Sequence, residues 1–216
     1  MTELIRAAAA VARLLSDPSP HLEVETAEGA AAVELTEAQA ATLIAAERPE
    51  GGEREVERRF LLGAVPAAIE GQPSKALVQG YLAVDPGASL RLRTAGGRTR
   101  LTLKRGKGLE RTEVEIDLEA EQAAPLWPLC GSRRVEKTRH LVPDGDGTIE
   151  LDVYAGRHQG LVVAEREFTG TDAARAWTPP PWCGPEITED GRFTNAQLAL
   201  GTLSPEILQA VLRAAP

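Results

Sequence analysis

EREVERRFLL, residues 53–62, does not read as an ordinary half-buried strand. Its odd positions carry Glu53, Glu55, Glu57, Arg59 and Leu61, and its even positions carry Arg54, Val56, Arg58, Phe60 and Leu62. Side chains alternate faces along a strand, so one face holds three carboxylates and then a guanidinium. Neither face is apolar until its end. Either the charged face meets bulk water, or it lines a charged interior.

Seven further segments with strand-like alternation follow, at 77–83, 89–94, 98–104, 111–118, 133–141, 148–154 and 161–168. Turn signals separate them, among them Asp85-Pro86-Gly87, Gly96-Gly97, Gly106-Lys107-Gly108 and Asp144-Gly145-Asp146-Gly147. One helical insert is expected near 119–129, with Trp127 packing it onto the strands. Helical pieces are expected near 194–200 and 204–213, the last opening on Ser204-Pro205.

The charge rows recur. Arg91 and Arg93 share a face, as do Arg98, Arg100, Thr102 and Lys104. So do Arg111, Glu113, Glu115 and Asp117, then Lys137 and Arg139, Glu150 and Asp152, and Glu165 and Glu167. The opposite faces are apolar, as in Leu90/Leu92, Leu101/Leu103 and Val162/Ala164. A solvent-facing charged side explains one such strand easily and explains seven of eight poorly. The alternative is an α+β fold: an eight-stranded antiparallel β-barrel with a charged lumen and surrounding helices. A lumen of both signs suits a metal–polyphosphate complex. Carboxylates hold Mg²⁺ or Mn²⁺, while Arg and Lys neutralise phosphate oxygens.

The first 52 residues have another texture. They carry nine acidic and three basic residues, most of the excess behind a net charge of −8. Leu4, Ile5, Ala8, Val11 and Leu15 fall on one helical stripe, which predicts a helix over 3–15. HLEVETAEGAAAVEL predicts a hairpin turning at Glu28-Gly29, and Thr36-Glu37-Ala38-Gln39 is a capping-box spacing opening a helix to about Glu47. Residues 1–52 thus read as a small helix–hairpin–helix appendage ending in the linker PEGG, and 53–216 as the main domain. The appendage is a candidate homodimer surface; the oligomeric state is left open. A near-balanced main domain argues against a nucleic-acid polymer as partner. No run of 18 apolar residues predicts a membrane span, and Glu3, Arg6 and Arg13 interrupt any signal-peptide core, so a cytoplasmic protein is expected. Cys130 and Cys183 are expected as free thiols, and His140 and His158 as loop or surface residues.

Glu55-Val-Glu57-Arg-Arg59 resembles the ExExK signature of the CYTH superfamily, the triphosphate tunnel metalloenzymes. The resemblance extends, in order, through Gln79-Gly80-Tyr81-Leu82, Arg91-Leu-Arg93, Leu103-Lys104-Arg105-Gly106, Arg111-Thr-Glu113-Val-Glu115, Glu136-Lys137-Thr138-Arg139, Glu150-Leu-Asp152 and Glu165-Arg-Glu167. The segment from Trp182 to Asn195 resembles the closing stretch of compact bacterial members.

That resemblance implies a tunnel that binds a small triphosphate with Mg²⁺ or Mn²⁺ and hydrolyses it. It implies Glu55, Glu57, Glu165, Glu167 and Asp152 as metal ligands, with Glu113 and Glu115 behind them. Arg59, Arg91, Arg93, Lys104, Arg111, Lys137, Arg139 and Arg192 become phosphate ligands, and Arg59, Tyr81 and Lys104 the catalytic candidates. The signature lysine is Arg59 here, which stays protonated and cannot share a proton with Tyr81. Position 78, often basic in the family, is Val78. Class IV-type adenylate cyclase, thiamine triphosphatase and a catalytically weakened triphosphate sensor are the competing functions.

Overall fold

The computed structural model describes residues 2–7, 10–16, 19–45, 53–107 and 110–214. Strands β1 (Thr2–Ala7), β2 (Ala10–Leu15), β3 (His21–Thr26) and β4 (Gly29–Glu34) form an antiparallel sheet in chain order. The helix expected over 3–15 is therefore two strands. In β2, Ala10, Ala12 and Leu14 are buried and the residues between them are not, a period of two. Ala12 lies opposite Val24 and Leu14 opposite Leu22 on β3. Tertiary pairing overrides the helical propensity of an alanine-rich stretch. A register shift between Glu3 and Ile5 lets Leu4 and Ile5 both be buried, which had imitated a helical stripe.

The 21–34 hairpin forms as expected, with Thr26 paired to Gly29. Helix α1 (Glu37–Ala45) opens on the expected capping box: Gln39 N donates to Thr36 Oγ1 at 3.2 Å, and Thr36 N to Gln39 Oε1 at 2.8 Å. The end expected near Glu47 lies outside the described residues.

Eight strands follow: β5 (Glu53–Leu62), β6 (Ser74–Asp85), β7 (Ala88–Ala95), β8 (Arg98–Lys107), β9 (Glu110–Leu118), β10 (Arg134–Asp144), β11 (Gly147–Tyr154) and β12 (Val162–Phe168). Each coincides with an expected strand. They hydrogen-bond in the order β10-β11-β12-β5-β9-β8-β7-β6, a sheet that curls and closes as a barrel. The β7–β8 link is Gly96-Gly97, with φ of 55° and 81°; two positive φ values are what the tight hairpin turn requires. The insert at 119–129 is a short helix α2 (Ala120–Ala123) and a 3₁₀ turn Pro128–Cys130. Helices α3 (Thr171–Ala176), α4 (Asn195–Ala199) and α5 (Pro205–Ala214) follow β12. Among the described residues, no helix is long and apolar enough to cross a membrane.

The chain divides into two compact units. The first comprises residues 1–54, 79–107 and 111–134. Its core joins Leu90, Leu92, Leu101, Leu103, Val114 and Ile116 of β7–β9 to Leu4, Ala12, Leu14, Leu22 and Val24 of the amino-terminal sheet. Helices were expected to cover this apolar side; here a sheet does. Burying a leucine side chain contributes about 1.5–3 kcal/mol, so this interface is a major source of stability. Polar ties border it: Arg105 Nη2 donates to Leu4 O at 2.6 Å, and Arg133 forks onto Glu28 at 2.9 and 3.0 Å. Gly80 is required on β6, because a Cβ there would meet Trp127 and Cys130 at 2.7 Å. Trp127 thus packs the insert as expected.

The second unit comprises residues 55–78, 108–110 and 135–216. Phe60, Leu62, Ile149, Leu151, Val162 and Ala164 form its apolar side, and Trp177, Trp182 and Cys183 pack on it. Arg58 lies over the Phe60 and Trp177 rings at 5.2 and 5.5 Å and forks onto Glu186 at 2.9 and 2.6 Å. Close approach of the closing segment to β5 needs Gly184, where a Cβ would meet Leu61 O at 2.3 Å.

Candidate functional site

In the first unit, alternation turns the opposite side of β7–β9 into a row of charge. Leu90 and Leu92 point into the core, so Arg91 and Arg93 point away from it. Arg91 is buried; its Nη2 donates to Thr102 Oγ1 at 3.2 Å and stands 3.6 Å from both Glu113 and Glu115. Arg93 Nη2 donates to Glu115 Oε1 at 2.8 Å, and Arg100 Nη1 to Glu115 Oε2 at 2.9 Å. Lys104 pairs with Glu113 at 2.5 Å. Burial opposes the Glu115 charge, but Arg93, the Thr102 hydroxyl and Arg91 hold its carboxyl below the usual range. Glu113 and Glu115 therefore brace cations. The Arg111 side chain lies outside the described residues. Tyr81 is buried on the side of β6 opposite Gly80.

The second unit carries a drier row. Arg139 stands opposite Asp152, Glu150 opposite Glu165, Glu165 opposite Arg59, and Glu167 opposite Glu57. Asp152 is fully buried between two cations. Its Oδ1 accepts from Arg139 Nε at 2.7 Å, and its Oδ2 accepts from Arg139 Nη2 at 2.7 Å and from Lys137. Arg139 Nη2 also donates to Glu165 Oε2 at 2.9 Å, and Arg139 pairs with Glu150. Burial works against the Asp152 charge, yet the Lys137 and Arg139 charges outweigh it and hold the carboxyl low. Burial pulls the Lys137 ammonium down from its usual range, against the opposing pull of Asp152. The Tyr154 ring lies 5.3 Å from Lys137 Nζ, its hydroxyl donates to Asn195 Oδ1 at 2.7 Å, and burial pushes its pKa up. Tyr154 shares a face with Glu150 and Asp152, a signal present in the sequence but not singled out there.

Arg59 is placed differently from the expectation of a phosphate ligand. Its guanidinium donates to the carbonyls of Phe193 at 3.1 Å, Thr188 at 3.1 Å and Ile187 at 3.5 Å. Its Nε lies 3.3 Å from Glu57 Oε1, an ion pair without hydrogen-bond alignment. Arg59 ties β5 to the closing segment. Arg192 is exposed, held by Asp190 at 2.6 Å, with its guanidinium 5.7 Å from the Phe193 ring. His158, expected at the surface, is buried, with Nε2 3.0 Å from Leu198 O.

The donor chemistry fits a divalent cation in part. Glu57 and Glu167 are cross-strand partners on β5 and β12, and Glu165 is on the same side. Like charges directly opposite one another are destabilising unless a cation lies between them. All-oxygen donors suit Mg²⁺ or Mn²⁺. Among the described residues no three such groups stand together at ligand spacing, and the Glu55 side chain lies outside them. Asp152 does not fit as a ligand, because both its oxygens are held by Lys137 and Arg139.

Known proteins are similar to this chain. The CYTH domain model matches residues 53–188. An inorganic triphosphatase of Nitrosomonas europaea is 45% identical over 150 residues, spanning 68% of this chain and 97% of that protein. One from Acetivibrio thermocellus is 30% identical over 153 residues, spanning 67% and 92%. A crystal structure of an inorganic triphosphatase matches at 43% identity and a TM-score of 0.52, over 68% of this chain and 94% of that one.

Proposed function

The chain belongs to the CYTH family, and on that premise we propose that it is a divalent-metal-dependent triphosphatase acting on inorganic tripolyphosphate. One observation carries this reading: Lys137 and Arg139 are buried together against the fully buried Asp152, and Arg139 also meets Glu150 and Glu165. Burying charge is expensive, and cations kept dry among carboxylates suit a site built to bind a polyanion. Arg91, Arg93 and Lys104 offer the same chemistry in the first unit. Phosphate oxygens are natural acceptors for guanidinium and ammonium groups of this kind.

Glu57, Glu165 and Glu167, with Glu55, would hold Mg²⁺ or Mn²⁺. Such an ion neutralises phosphate oxygens and makes bound water more acidic. Lys137 and Arg139 stabilise charge on the phosphoryl oxygens, and Asp152 fixes where those cations stand. Glu113 and Glu115 do the same for Arg91, Arg93 and Lys104. Arg59 keeps the closing segment on β5. The family match begins at residue 53, which supports assigning the chemistry to 53–216 and a covering role to 1–52. Free thiols at Cys130 and Cys183 support a reducing, cytoplasmic compartment.

The test is incubation with tripolyphosphate, ATP or thiamine triphosphate and each metal, with quantification of phosphate, pyrophosphate and cyclic nucleotide. Orthophosphate release, fastest from tripolyphosphate, is expected. Pyrophosphate with cyclic AMP would overturn the reading in favour of a cyclase, and binding without turnover in favour of a sensor. Glu55→Gln with Glu57→Gln is expected to lower metal-dependent turnover about 100-fold while the melting temperature holds.

A further inference from the structure

Gln79 has no assigned part in the reading above. It is 1% exposed, and its side-chain oxygen Oε1 has no hydrogen-bond partner among the described residues. Buried polar groups are almost always satisfied, and an orphan acceptor destabilises the fold that keeps it. Gly80 faces Trp127 and Cys130, and Leu82 joins the core, so alternation turns Gln79 to the side that carries Arg91 and Arg93. A second orphan lies on that side: the Nε of buried Arg91 is also without a hydrogen-bond partner among the described residues. One unmet donor and one unmet acceptor therefore face the charged side of the same unit.

Their chemistry differs. Arg91 Nε–H suits a phosphate oxygen. The Gln79 oxygen can only accept, and ionised phosphate oxygens do not donate. Water does. We propose that Gln79 is a catalytic residue that orients the attacking water, an inference resting on the triphosphatase reading. The water oxygen bonds to the terminal phosphorus as the bridging P–O bond breaks. One water proton stays on the orthophosphate and the other passes to the pyrophosphate. The amide takes no proton; it sets the direction of the water lone pair.

The test uses the full chain with Gln79→Leu, and Gln79→Met as a second apolar replacement of similar size. Each is expected to lower kcat for tripolyphosphate about 100-fold, the scale of a misplaced reactant. KM, and the calorimetric Kd for tripolyphosphate without metal, should stay within about threefold, because the amide meets water and not phosphate. The melting temperature should rise by about 2–4 °C, since an unmet buried acceptor has been removed. Unchanged kcat, a Kd weakened in step with kcat, or a lowered melting temperature in both variants would each overturn the assignment. Wild-type turnover with unaffected variants sinks only this inference. A wild-type protein that binds tripolyphosphate without turning it over sinks the parent reading and this one with it.

Discussion

The two charged rows are built from similar residues and are wetted very differently. In the first unit the side chains of Arg93, Arg100 and Glu115 are 22%, 45% and 24% exposed. In the second, Lys137 and Asp152 are 0% exposed and Arg139 is 8%. The first row shares its charge among Glu113, Glu115 and Asp117, so losing one brace leaves others. In the second, Arg139 is shared among Asp152, Glu150 and Glu165, but the fully buried Lys137 stands on the fully buried Asp152. Water content, more than residue type, decides how much one carboxylate matters.

Asp152→Asn tests that contrast most severely. It leaves Lys137 buried beside a neutral amide, with Arg139 kept by Glu150 and Glu165, and should destabilise the protein by about 3–5 kcal/mol, read by chemical denaturation. A loss under 1 kcal/mol would show that the row is hydrated after all. Acid should expose the same carboxyl. Its folded pKa is depressed, so its contribution is full above the unfolded aspartate value, near 3.9, and is lost as pH falls through the folded one. Wild-type melting temperature should therefore drop below about pH 4, and Asp152→Asn should flatten much of that slope. An unaltered slope would place the acid sensitivity elsewhere.

Arg59→Lys comes next. An ammonium cannot span the carbonyls of Ile187, Thr188 and Phe193 as the guanidinium does. A loss of about 2 kcal/mol is expected, with faster protease cleavage in the 187–193 segment. Equal stability would return Arg59 to the pool of phosphate ligands. The smallest effect belongs to Glu115→Gln. Its neighbours keep other partners and some water, so about 0.5–1 kcal/mol should be lost. A loss as large as that at Asp152 would erase the distinction between the rows.

The barrel strands were legible because their alternation is strict over eight segments, with glycine at turns that demand positive φ, as at Gly96-Gly97. The amino-terminal sheet was not. TELIRAAAAVARLL suits either period over so short a span, and its strand state depends on β3, which comes later in the chain. The charged rows were legible for the same reason as the strands, since alternation alone puts Lys137 with Arg139 and Glu165 with Glu167. Their division of labour was not. Asp152 read as a metal ligand until its neighbours proved to be two cations. Arg59 read as a phosphate ligand until its guanidinium met carbonyls 128 to 134 positions away in the chain.

What the chain of residues determined alone is which side chains share a face and which faces carry charge, because backbone geometry enforces that locally. What only the tertiary structure decided is which charges are dry, which carboxylates brace cations, and which cation is tied to the backbone. Those depend on burial and on partners distant in sequence, and the energy of a charge is set by its surroundings more than by its identity.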